Sequence, residues 1–198
     1  MIPHWWIGRL LSVRGIHWLA VTFGTSVLRA RSFDEKFRSG QWNFSSDQSS
    51  ELVQVVEQYA GGGDILMLGC GTGSIVDALD PRKFATFMGI DISSEAITRA
   101  RQRATEKVRF ETGDILRYEC PKDYRVILFS ESIYYIKPWR RKQLLKRLQQ
   151  NLAPGGAIIV TIAQPKRYSG ILAMIRRSFH AIIDRPFAGS SRHLLVFN

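Results

Sequence analysis

The chain has 198 residues, enough for one sizeable core and too few for two comfortable domains. Two cysteines, Cys70 and Cys120, cannot build a disulfide framework, and four histidines without ligand spacing give no reason to expect a metal. The formal net charge is +11, and acids are absent from residues 1–33 and between Glu131 and Asp184; such asymmetry favours an anionic partner, against the plainer alternative of a solvated basic surface.

Residues 1–31 form a separate compositional zone. Trp5, Trp6 and Trp18 stand among apolar side chains, with Arg9, Arg14, Arg29 and Arg31 and no acid. Arg14 and Gly15 interrupt the apolar run, so a spanning helix and a signal peptide both fit poorly. Two readings stay open: a helix lying at an anionic membrane surface, or a helical lid packed on the domain. The membrane reading makes a cytoplasmic protein peripheral to the membrane. Residues 32–198 form the main domain. In it, Phe33 and Phe37 at i, i+4 suggest a short helix ended by Ser39-Gly40, followed by Trp42, either a cover for a site or a core aromatic.

A helix over about 50–59, capped by Asp47 or Ser49, stops at Gly61-Gly62-Gly63. The pattern then alternates strand and helix. Strands are expected at 65–68, 86–90, 108–111, 125–130 and 157–163; helices at 74–79, from Ser93 or Ser94 to about 104, and at 139–152. The tail reads as a helix over 171–177 and a hairpin of 179–185 with 193–197. The sum is an α/β fold, mostly parallel, with helices on both faces and an antiparallel hairpin at the C-terminal edge.

The first strand runs into Gly69-x-Gly71-x-Gly73, and the second ends on Asp91. Together they describe a nucleoside-binding unit, in which glycines let backbone N–H groups approach a ligand and the acid accepts from ribose hydroxyls. Dinucleotide enzymes space this loop G-x-G-x-x-G/A; here the third position falls on Ser74 or Val76, and no Lys-Ser/Thr follows as in a phosphate loop. The loop, Gly89-Ile90-Asp91 and Thr112-Gly113-Asp114 together resemble the three motifs of the Rossmann-like (class I) S-adenosylmethionine (SAM) methyltransferases.

That resemblance covers roughly residues 33–198. It implies SAM as cofactor, S-adenosylhomocysteine (SAH) as product, and a cofactor site at Gly69, Cys70, Gly71, Gly73, Asp91, Ile92, Asp114, Ile115 and Ser130, closed by Trp42. Glu131-x-x-Tyr134-Tyr135 after the fourth strand resembles the nodulation N-methyltransferases, which act on an amino sugar. By that resemblance Glu131 orients or deprotonates an amine or hydroxyl, or else contacts the cofactor's ammonium, and Tyr134 and Tyr135 line the acceptor pocket. The implied reaction is methyl transfer to O or N of a small molecule, a sugar, glycoconjugate or lipid-linked glycan. The motif after strand four is not of the type that methylates nucleobase amines, which disfavours nucleic acid. The rivals are an RNA methyltransferase using the basic surface and a non-catalytic SAM-binding regulator.

Overall fold

A computed structural model describes residues 25–42 and 49–198. Seven strands make one sheet: β1 (Ile65–Leu68), β2 (Phe87–Asp91), β3 (Val108–Thr112), β4 (Tyr124–Ser130), β5 (Leu152–Ile162), β6 (Ala181–Pro186) and β7 (His193–Phe197). Their order is β3-β2-β1-β4-β5-β7-β6. The first five are parallel, while β7 runs antiparallel to both β5 and β6. The expected edge hairpin is therefore present.

The sheet is sandwiched because its parallel strands are apolar on both faces. Along β4, Val126 and Leu128 join one core while Ile127 and Phe129 join the other, as alternate side chains must. The first core is covered by α2 (Ser50–Ala60) and α3 (Ser94–Ala100), the second by α4 (Pro138–Gln149) and α5 (Ser169–Ser178). Ser49 and Ser93 are the caps of α2 and α3, each accepting the backbone N–H of the third residue of its helix. Crossovers leave β1 in opposite directions, so a crevice opens beyond the carboxyl ends of β1 and β4, where an α/β sheet binds its ligand.

Three elements differ from expectation. Residues 74–79 make only a short 3-10 turn, Ser74–Asp77. Left-handed Gly73 and Pro81 bound this stretch closely, and a single turn with i to i+3 bonds forms between them. β5 begins at Leu152, because Leu152 already pairs with Tyr124 before a bulge restores register at Ala157. The short helix expected around Phe33 is α1, Ser26–Arg38, which starts at the Thr25 cap and runs straight through position 31. Residues 1–24 and the expected cap Asp47 lie outside the described residues. Among the described residues no helix is long and apolar enough to cross a membrane.

Candidate active site

The carboxyl ends of β1–β4 surround a cavity of about 630 Å³. Gly69, Cys70, Gly71, Asp91, Ile92, Asp114, Ile115, Ser130, Glu131, Tyr134, Tyr135 and Trp42 all line it. Gly73, expected to touch the cofactor, is not on the wall. Its φ is 70°, and a Cβ there would meet Phe110 at 2.4 Å, so it lets the loop turn past the core.

The other two loop glycines belong to the site. Gly69 has φ 77° and sits against Ser132; a Cβ would lie 2.5 Å from the Ser132 Cβ. Ser132 cannot easily yield, because its hydroxyl donates to the Leu68 carbonyl at 2.6 Å. Gly71 donates its N–H to Asp91 Oδ2 at 2.8 Å, and Ser93 N–H donates to Oδ1 at 2.9 Å. The carboxylate thus ties the loop after β1 to the turn after β2, and each oxygen keeps a lone pair for a further donor. Burial raises the Asp91 carboxyl above its ordinary range, against the opposing pull of the Ser93 and Gly71 N–H groups. Burial also raises the Cys70 thiol, so Cys70 is an inert wall residue.

α1 roofs the cavity and is tied down at both ends. Ser26 and Arg29 both donate to Asp114 Oδ2, at 2.7 and 2.6 Å. Arg29 therefore faces inward and is not a cation for lipid head groups, as counted from the sequence. Asp114 Oδ1 accepts from Leu116 N–H at 3.1 Å, so Asp114 comes to the wall already engaged. Asp34 accepts from the Ser93 hydroxyl at 2.7 Å and from Glu95 N–H at 3.1 Å. These partners lie 59 and 61 residues away along the chain, beyond the reach of any local pattern. Phe37 faces Gly71, and Trp42 packs between Phe33, Phe37 and Tyr135 at centroid distances of 5.3–5.6 Å. Trp42 is thus part of an aromatic roof over the crevice.

The far end of the cavity is built around Glu131. This residue alone among described non-glycines has positive φ, 55°, a strained geometry that persists only where the surroundings impose it. Four groups impose it. The Ala163 N–H donates to Oε2 at 2.6 Å and the Thr161 hydroxyl to Oε1 at 2.9 Å. The Tyr134 hydroxyl donates at 3.3 Å, and Arg192 Nε lies 3.4 Å from Oε1. Tyr134 stacks on Tyr168 at 4.5 Å and packs on Tyr135 at 4.7 Å. Burial raises both phenols, Tyr135 to about 12, so they stay protonated at neutral pH. Arg192 lines the cavity from the β6–β7 hairpin, a residue that no local motif marks.

A seven-stranded sheet with this order, a glycine loop after β1, an acid at the end of β2 and another after β3 define a class I methyltransferase fold. A family model described as a methyltransferase domain matches residues 65–156. A carboxy-S-adenosyl-L-methionine synthase of Wolinella succinogenes is 36% identical over 133 residues, 64% of this chain and 52% of that protein. A trans-aconitate 2-methyltransferase of Deinococcus radiodurans is 33% identical over 99 residues, 50% of this chain and 37% of that protein. The chain thus spans about half or less of the length of these curated relatives. The N-methyltransferase NodS of Bradyrhizobium japonicum, solved with SAH, superposes with a TM-score of 0.69 at 18% identity, covering 85% of this chain and 96% of NodS. Residues 65–156 thus match a methyltransferase domain, and the fold is that of the SAM-dependent methyltransferases.

Proposed function

We propose that this chain transfers a methyl group from SAM to an oxygen or nitrogen of a small molecule, of which a sugar or glycoconjugate is the acceptor class put forward. The observation that carries the reading is one cavity holding the Gly71–Asp91 clasp at one end and the buttressed Glu131 at the other. Bound SAM supplies a methyl on a sulfonium, a good neutral leaving group. The acceptor lone pair forms a bond to the methyl carbon as the carbon–sulfur bond breaks, its electron pair passing to sulfur, and the acceptor's proton is released. The chain's part is chiefly alignment, an effect worth up to ~7–11 kcal/mol. Glu131 would accept the hydrogen bond of the acceptor's O–H or N–H and take its proton, because the neighbouring tyrosines are held protonated. Tyr134 and Tyr135 would line the acceptor pocket, in keeping with a sugar ring, while Trp42 would cover the cofactor.

Asp91 would hold the ribose hydroxyls. Asp91→Ala should weaken SAH about 10–100-fold by calorimetry, the loss of a hydrogen bond to a charged group. Affinity unchanged by that substitution would remove the ribose role. Because burial raises the folded carboxyl, the apo fold loses stability as pH climbs from the ordinary aspartate range to that raised value, where the loss is complete. SAH affinity needs the ionised form, so it should fall on acidification sooner than an exposed aspartate would dictate. A flat pH profile across the acidic range would count against it.

Calorimetry of the full chain with SAM, SAH and NAD tests the cofactor; mass spectrometry of incubated acceptors for the gain of one methyl tests catalysis. Binding of NAD without SAM would end the proposal, and SAM binding with no methylated product would favour a regulator. We also propose that residues 1–31, apart from the inward-facing Arg29, contact an anionic membrane surface. Its support is their content of Trp and Arg without acids. Co-sedimentation of the full chain with anionic vesicles at low salt should show it, and failure to sediment would remove it.

A further inference from the structure

The far end of the cavity holds a cation that the reaction scheme does not use. Arg192 precedes β7, and β7 is separated from β1 by β4 and β5. Three strand spacings put it about 14 Å from the glycine loop across the sheet. Asp91 and Asp114 lie further off, at the end of β2 and just after β3. Its neighbours mark the acceptor side: Glu131 at 3.4 Å and, through Glu131, Tyr134 and Ala163. The Arg192 side chain is only 22% exposed, and it is braced over the Phe187 ring at 5.3 Å. Such a guanidinium is held in place.

The charges at this end can be followed group by group. Glu131 and Arg192 carry opposite charges. At the other end Arg29 is spent on Asp114. The ionised Asp91 offsets the sulfonium that bound SAM would bring, so the attraction for an oxyanion comes from Arg192 itself, in a cavity walled largely by aromatic and aliphatic side chains where Coulomb forces are poorly screened. Glu131 also already receives short bonds from Ala163 and Thr161, so it does not depend on Arg192 alone for neutralisation. A guanidinium presents five donors in a planar fork suited to an oxyanion.

We infer that the acceptor carries a carboxylate or phosphate group, and that Arg192 receives this oxyanion while Glu131 faces the O–H or N–H to be methylated. Acceptor specificity is then set from the C-terminal hairpin. The inference rests on the SAM-methyltransferase reading of the same cavity and narrows its acceptor class.

The test uses the full chain saturated with SAH and four probes: glucose, glucuronate, glucose 6-phosphate and trans-aconitate. Calorimetry should show at least one anionic probe binding about 10–100-fold tighter than glucose, the range for hydrogen bonds to a charged group. The better of glucuronate and glucose 6-phosphate separates carboxylate from phosphate. R192Q should erase the preference and R192K keep part of it, with SAH affinity unchanged in both; R192Q should also lower the melting temperature modestly, since it removes one of the groups that hold Glu131. Binding of trans-aconitate alone would uphold the oxyanion site and discard the sugar. Equal affinity for glucose and the anions, or no binding by any anion, overturns the inference. So does a preference that survives R192Q. A fall in SAH affinity on R192Q also overturns it, since Arg192 would then hold the cofactor's own carboxylate. Failure of SAH to bind the wild-type chain is a separate result, which removes the cofactor reading itself.

Discussion

Glu131→Gln should lower kcat by about 10²–10⁴, the usual contribution of a positioned proton acceptor, while SAH binds as before. Glutamine keeps the length of the side chain and one carbonyl acceptor but can no longer take a proton. Its amide also brings N–H donors to a place where Ala163 N–H and the Thr161 hydroxyl already donate. One of those groups loses its acceptor, which should cost about 1–3 kcal/mol of stability. The two effects are separable by measuring initial rates and thermal unfolding on the same preparations. If kcat holds while SAH affinity drops, Glu131 serves the cofactor's ammonium and the proton goes elsewhere.

Gly69→Ala should damage fold and binding together. A φ of 77° strains any side chain, and the new Cβ would stand 2.5 Å from the Ser132 Cβ. Left-handed strain costs about 1–3 kcal/mol, and forced overpacking adds about as much again. For a chain of this size that sum should lower Tm by several degrees. If Ser132 gives way, its bond to the Leu68 carbonyl breaks and the end of β1 shifts, carrying Cys70 and Gly71 with it. SAH affinity should therefore fall more than tenfold, as expected for a displaced backbone cradle. A variant that melts and binds SAH like the wild type would show that the loop is not the rigid cradle described. Gly71→Ala makes a useful contrast, because a Cβ there would stand 3.6 Å from Phe37, an ordinary contact. Its cost should come mainly from the backbone conformation.

α4 shows why the basic composition did not by itself decide a function. Arg140, Lys142, Lys146 and Arg147 are exposed on it, beside Trp139 at 63% exposure. Arg141 and Arg147 nevertheless act within the fold, donating to the carbonyls of Tyr134 and Leu116. Part of the positive charge thus holds loops around the cavity. An RNA acceptor would still show itself by a steep loss of affinity with salt; a weak salt slope with generic RNA is expected here.

What the sequence determined by itself was local. The strand boundaries came within a few residues, because buried parallel strands are short apolar runs bounded by turn residues. The glycine loop, Asp91 and Asp114 were legible because each follows a strand end at fixed spacing, and the sheet brings strand ends together. The 3-10 turn at 74–77 and the early start of β5 were missed, because pairing and chain length between turns overrode local propensity. Only the tertiary structure decided how the ends of the site are held. Asp34 reaches the turn before α3, and Arg29 closes on Asp114 instead of facing outward. Glu131 is driven into a left-handed backbone by groups from β5 and beyond, and Arg192 arrives on a hairpin at the opposite end of the chain. These are single long-range contacts between side chains with no repeating pattern. Sequence spacing carries no record of such contacts, because they exist only once the sheet has brought distant segments within hydrogen-bonding reach.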